Sequence, residues 1–204
     1  MTDLIVSGGP VMLPIGLASV IGLAVLLERI WALRQSAISP AGMVEEVDEL
    51  FRQKRWGDVL ALARKADCAA GRVLVAAVEM RGRRRSEIKE RLEEVGRREA
   101  AALERYSAVL GTIASIAPLL GLLGTVWGMI LTFDVIQTEG IGVVANLAGG
   151  ISQALISTMA GLTVGIPALV AHRWVLARAD GHVLSMEEVG LNSLEHVASD
   201  GEGA

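Results

Sequence analysis

Thr125, Gln153, Ser157 and Thr158 are polar side chains set inside long apolar runs, GLLGTVWGMI and GGISQALISTMAGLTVGIPALV. Hydrocarbon offers such groups no partner, so at membrane depth they must face protein, water or an ion. Hydroxyls and a carboxamide orient water and exchange hydrogen bonds, but none of them titrates near neutral pH. The chemistry open to them is solvation and passage of a small polar species, or adhesion between helices. No Ser/His/Asp constellation, phosphate-binding glycine loop or paired carboxylates accompanies them, so hydrolysis and group transfer lack their parts and no enzyme activity or cofactor is expected. His172, His182 and His196 show no metal-ligand spacing and are expected as surface residues, with His172 at a membrane interface.

Spacing sorts the small and polar residues into faces. From the first of these runs onward, Gly121, Thr125, Gly128 and Thr132 recur at intervals of four, three and four, one face of a helix, with Gly124 beside them. In the second, Gly150, Ala154, Ser157 with Thr158, Gly161 and Gly165 form a ridge of small residues of the kind that lets backbones approach closely. Five residues separate Gln153 from Thr158, about 140° of rotation, so the two serve different interfaces. A plain packing role, with Thr and Gln as glue between helices, accounts equally well for this spacing. Pro118 and Pro167 are candidate kinks.

The elements that position these faces follow from the charge pattern. Of 204 residues 52% are hydrophobic, and they come in blocks. Three stretches without charge, Leu4 to Leu27, Tyr106 to Phe133 and Gly140 to His172, each exceed the roughly 20 residues needed to cross a bilayer. Only Asp3 is charged before Glu28, so the first stretch lacks the basic start of a signal peptide and reads as a retained helix. Of the 19 basic residues, 17 lie between Arg29 and Arg105 and the other two are Arg173 and Arg178. The positive-inside rule then sets the N-terminus outside and the C-terminus in the cytoplasm. Trp31, Tyr106 and Trp174 fall where an inner interfacial belt would lie.

The expected organisation is all-α. It comprises an outer segment over residues 1–10, a first transmembrane helix over 11–33, a cytoplasmic helical region over 34–105, a second transmembrane helix over 106–133, a short outer turn over 134–142, a third transmembrane helix over 143–172 and a cytoplasmic tail over 173–204. Within the cytoplasmic region, Ile88, Leu92 and Val95 mark a charged helix laced by Glu87/Arg91, Glu93/Arg97 and Glu94/Arg98, running straight into the second span. Val44, Val47 and Leu50/Phe51 mark an earlier amphipathic helix that packs against it, with breaks expected at Pro40 and Gly57. Arg83, Arg84 and Arg85 are flanked by acids and read as a solvated turn or an ion-pairing site between subunits, ahead of an anionic-lipid or nucleic-acid contact. Cys68, the single cysteine, excludes an intrachain disulfide. The tail is acidic and partly amphipathic, and its last few residues are expected to be disordered.

The runs APLLGLLGTVWGMI, Ala117 to Ile130, and GGISQALISTMAGLTVGIPALV, Gly149 to Val170, resemble the MotA/TolQ/ExbB proton-channel family, in its ExbB/TolQ branch more than its larger flagellar one. The likeness extends to the three-span topology and to ERIWALR, Glu28 to Arg34. It implies an inner-membrane motor subunit that assembles as a ring, a homopentamer, whose second and third helices line a pore. The pore would hold the single membrane helix of a small ExbD- or TolR-like partner, and the proton motive force would energise TonB-dependent uptake or Tol-type envelope maintenance through a TonB- or TolA-like protein. Thr125 and Thr158 match the family's pore-facing threonines. Many members carry Glu where this chain has Gln153, which leaves Gln153 a supporting place on the ion path and assigns proton carriage to an Asp in the partner's helix. The alternative is a non-conducting ring that anchors a single-pass partner. A solute transporter is disfavoured by the lack of an internal repeat.

Overall fold

A computed structural model describes residues 7–33, 42–139 and 144–201. Among them every regular element is an α-helix. In chain order these are α1 (Met12–Ala32), α2 (Met43–Arg52), α3 (Trp56–Ala66), α4 (Ala69–Glu79), α5 (Arg85–Glu104), α6 (Ser107–Glu139) and α7 (Val144–Gly201). The chain divides into two compact units, Met1–Glu28 with Tyr106–Trp174 and Arg29–Arg105 with Val175–Ala204.

Among the described residues three stretches of helix are long and apolar enough to cross a membrane, and they include α1 and most of α6 and α7. Their most apolar 18-residue windows have mean hydropathies of 1.8, 1.9 and 1.8, yet only 17%, 33% and 28% of those windows is buried within the chain. Leu119, Leu122, Leu155 and Val170 lie on the exposed remainder. Apolar surface on this scale requires lipid or other protein chains to cover it. Several hydroxyls in these spans turn back onto their own helix, as hydrocarbon favours. Thr112 donates to the Ala108 carbonyl (2.8 Å), Ser115 to Gly111 (3.0 Å) and Thr163 to Met159 (2.7 Å).

The second unit is a bundle around Val47, Phe51, Val59, Ala63, Val73, Leu74, Ile88, Leu92, Val189 and Val197. Ile88 and Leu92 of α5 are buried and Val95 partly so, and α2 contributes Met43, Val47 and Phe51, its Val44 facing outward. Helices α3 and α4 escaped the sequence reading. Their hairpin closes tightly, since a Cβ on Gly71 would lie 2.5 Å from the Ala63 carbonyl oxygen, and Cys68 Sγ caps α4 by accepting from Gly71 N at 3.3 Å. Asn192 in α7 donates to Asp48 in α2 at 2.6 Å, and His196 stacks on Phe51 with ring centres 5.2 Å apart. Two contacts tie the end of α1 into this unit. Buried Arg29 donates to the carbonyls of Ala102 (3.4 Å) and Leu103 (3.2 Å) in the last turn of α5, and His182 Nε2 lies 3.2 Å from the Leu33 carbonyl.

Several boundaries differ from those read in sequence. Helix α5 does not run straight into the second span: Arg105 leaves helical geometry (ψ 137°) and Tyr106 takes φ 63°, breaking the chain between α5 and α6. Gly57 lies inside α3, and the break falls earlier, at Lys54 with φ 54°. Pro40 lies outside the described residues, as do Arg34, residues 140–143 of the expected outer turn and the extreme tail at 202–204. Residues 134–139, assigned to that turn, continue α6, and the tail from Arg173 to Gly201 continues α7 as helix. Among the ion pairs Glu94 meets Arg98, but Glu87 meets Arg84 instead of Arg91, and Arg97 donates to the Glu93 carbonyl. The histidines are not all at the surface: His182 is buried, and the Nδ1 of His172 is buried with no hydrogen-bond partner among the described residues.

Candidate functional site

Helices α6 and α7 meet along the small residues picked out by spacing, and main chain touches main chain. Proceeding along α6, Pro118 faces Gly165, Gly121 faces Ser157, Thr158 and Gly161, Gly124 faces Ser157, and Gly128 faces Gly150 and Ala154. The order is reversed on α7, so the two helices are antiparallel. A Cβ on Gly161 would lie 2.5 Å from the Ala117 carbonyl oxygen and 2.9 Å from Gly121 Cα; one on Gly124 would overlap Ser157 Oγ, and one on Gly150 would overlap Thr132 Oγ1. Glycine here is a requirement of approach distance.

Ser157 and Thr158 fasten the seam. Both donate to the Gly121 carbonyl, at 3.4 Å and 3.3 Å, and Ser157 also donates to Ala154 at 2.9 Å. Thr132 is buried and donates to Gly128 at 2.9 Å. Pro118, which lacks an N–H and so releases the Ala114 carbonyl, leaves α6 continuous, and Gly165 makes room for its ring. Ala117, fully buried at the centre of this contact, was not singled out in sequence, although it stands four residues before Gly121 on the same face.

Thr125 and Thr158 flank the seam on one side. At 100° per residue Thr125 is about 60° off the midline of the row Ala117, Gly121, Gly124, Gly128, Thr132, and Thr158 about 60° off the midline of Gly150, Ala154, Ser157, Gly161, Gly165. Because the helices are antiparallel, equal rotations in the direction of the chain carry both threonines to the same flank. Both are half-buried, and Thr125 Oγ1 donates to the Leu122 carbonyl at 2.6 Å.

The opposite flank belongs to α1. Ile113 of α6, about 60° to that side, meets Gly22, where a Cβ would lie 3.4 Å from its Cδ1. Gln153 of α7, about 80° to that side, sets its Nε2 against Gly9, and Ile156 meets Gly8. The structure therefore brings together the small residues of the two spans, places Thr125 and Thr158 on one side of them, and separates both from Gln153.

Residues 65–188 match the model of the MotA/TolQ/ExbB proton channel family. The chain is 32% identical over 167 residues to a putative biopolymer transport protein ExbB-like 3 of Synechocystis sp., covering 80% of this chain and 79% of that one. It is 34% identical over 181 residues to ExbB-like 1 of the same organism, covering 85% and 69%. Over 83 residues it is 40% identical to the Tol-Pal system protein TolQ of Pseudomonas aeruginosa, covering 41% of this chain and 36% of that one.

Proposed function

Because the chain belongs to the MotA/TolQ/ExbB proton channel family, we propose that it is the multi-pass inner-membrane subunit of a proton-driven motor, in which copies surround a pore and hold a small single-pass partner of ExbD or TolR type. The observation that carries this reading is the pairing of Thr125 with Thr158 on the flank of the α6/α7 seam opposite α1. In a ring, of five copies by family likeness, that flank turns to the lumen and α1 to lipid.

The lining is uncharged: no Asp or Glu lies within the three uncharged stretches, and Glu28 and Asp134 stand at their edges. The threonines orient water and bond the partner's side chains, while the proton itself travels on a carboxylate of the partner's helix. A charge crossing the membrane releases about 2.3 kcal/mol per 100 mV, several times thermal energy, enough to bias a step of one part against the other. Residues 34–105 and 173–204 stand in the cytoplasm by the distribution of Lys and Arg, and the N-terminus stands outside. The work delivered is envelope work through a TonB- or TolA-like protein, in keeping with relatives named for biopolymer transport and for the Tol-Pal system.

A second reading has its own observation. Thr125 and Thr158 both spend their hydroxyl protons on helix carbonyls, Leu122 and Gly121, as adhesive residues do. A non-conducting ring that anchors its partner would need no more. Proton flux into vesicles holding the protein with its partner separates the two: flux that requires the partner's Asp supports the motor, and no flux from an intact complex leaves the anchor.

A further inference from the structure

We infer that Gln153 is a positioning residue that fastens the N-terminal turn of α1 to α7, and that it stands off the ion path. The fastening rests on geometry within one chain; the second half rests on the motor reading, since it presumes that the lumen lies on the threonine flank.

Two consecutive glycines receive the third span. Gly9 has φ +74°, a conformation that a side chain strains, and the place its Cβ would take is filled by Gln153 Nε2. At Gly8 a Cβ would lie 3.2 Å from Ile156 Cγ2. Pro10 follows, and the turn closes with Met12 N donating to the Gly9 carbonyl at 3.1 Å, which starts α1. The same end of α1 buries Val11 and Ile15 while Leu13 and Leu17 face outward. Helix α1 is the least covered of the three spans, with 17% of its most apolar window buried.

The chemistry suits a carboxamide. Packed against backbone at the end of a membrane helix, a carboxylate would demand a proton or a cation, whereas Gln offers donors and an acceptor without charge. Helical phase completes the argument: Gln153 lies about 140° from Thr158, across the seam from both threonines.

The test uses the full chain in native membranes with its partner, in a Cys68→Ser background. Gly9→Cys with Gln153→Cys, and separately Gly8→Cys with Ile156→Cys, are oxidised with copper phenanthroline. Each pair is expected to join within one chain, giving a compact monomer on gels and no ladder of dimers. The second pair guards against strain at Gly9. Failure of both pairs in a protein that still elutes as an assembled complex overturns the inference, as does Gln153→Cys alone joining a neighbouring copy or a cysteine in the partner's helix. A double-mutant cycle supplies the independent readout: Gly9→Ala should lower the unfolding temperature through strain at φ +74° and through collision with Gln153, and with Gln153→Ser as the background the collision is gone, so the same change should cost less. If Gly9→Ala costs the same with Ser at 153, the contact is not the one described. Absence of proton flux from the unmodified complex would sink the motor reading and leave the disulfide result standing.

Discussion

Gly128 and Gly150 approach so closely that a Cβ on Gly128 would lie 2.6 Å from the Gly150 carbonyl oxygen. Backbone meets backbone again two turns further along, where a Cβ on Gly161 would lie 2.9 Å from Gly121 Cα, and between the two contacts Gly124 receives the Ser157 side chain, so main chain sets the spacing of α6 and α7 at both ends of the seam.

Gly161→Ala should therefore destabilise the chain by about 1–3 kcal/mol, the range for overpacking, because the atoms it meets are the Ala117 carbonyl and Gly121 backbone, which cannot rotate aside. Gly149→Ala, on the same helix with nothing within 4 Å, should be neutral or stabilising by about 0.5–1 kcal/mol. Thermal unfolding in detergent compares them; equal effects would contradict a main-chain seam.

Thr158→Val keeps the shape of the side chain and removes the hydroxyl that reaches Gly121. On the motor reading proposed above, proton flux should fall by about tenfold or more, the kinetic equivalent of one lost hydrogen bond, with partner retention intact, while Thr158→Ser should retain most flux. Flux that survives Val at both 125 and 158 assigns the hydroxyls to adhesion.

Arg29 is buried and donates to the last carbonyls of α5. Arg29→Met leaves those acceptors unmatched and should cost about 1–3 kcal/mol, with Arg29→Lys costing less. Faster amide exchange in the final turn of α5 is the measurement that locates the loss.

His182 is held below its ordinary titration range, first by burial and then by the positive charge of Arg178, against the opposing pull of the Leu33 carbonyl. Its folded form binds the proton less well than its unfolded form, so stability is full above the unfolded value near ~6.5 and falls as pH drops below it. Unfolding followed from pH 7.5 to 5.5 should show this loss, and His182→Gln, which keeps a donor for Leu33, should flatten it.

Asp48 titrates below the usual carboxylate range. Burial raises it, but hydrogen bonds from Arg52 and Asn192, with the charge of Arg52, outweigh that. Its contribution is present above the unfolded value near ~3.9 and disappears as pH falls through the lower folded one. Asp48→Asn should shift the acid unfolding profile in that window and leave stability near pH 7 reduced by about 0.5–1.5 kcal/mol.

The spans and the small-residue faces were legible because lipid imposes a composition and a helix imposes a period. Gly121 and Gly128 on one helix, and Gly150, Ala154 and Gly161 on another, could each be assigned to one face from spacing; that the two faces meet could not. Helices α3 and α4 could not be read. Most of the interior run of α4, including Ala69, Ala70, Gly71, Val73, Leu74, Ala76 and Ala77, is buried, so no polar face marks a period. The breaks at Lys54, Asp67 and Tyr106 take positive φ without glycine, a conformation set by the packing around them and not by residue type. The partner of Gln153 lies at Gly9, 144 positions away, and no local pattern announces it. Residues 134–139 continue α6, since no Gly or Pro falls between Gly128 and Gly140 to end the helix sooner.

A joint made of backbone has no rotamers to exchange. Where leucines interdigitate, two helices can slip by a notch and repack; where glycines abut carbonyls, every fraction of a turn is a collision. The pair α6/α7 is thus a two-ply board, whose layers shift together or not at all.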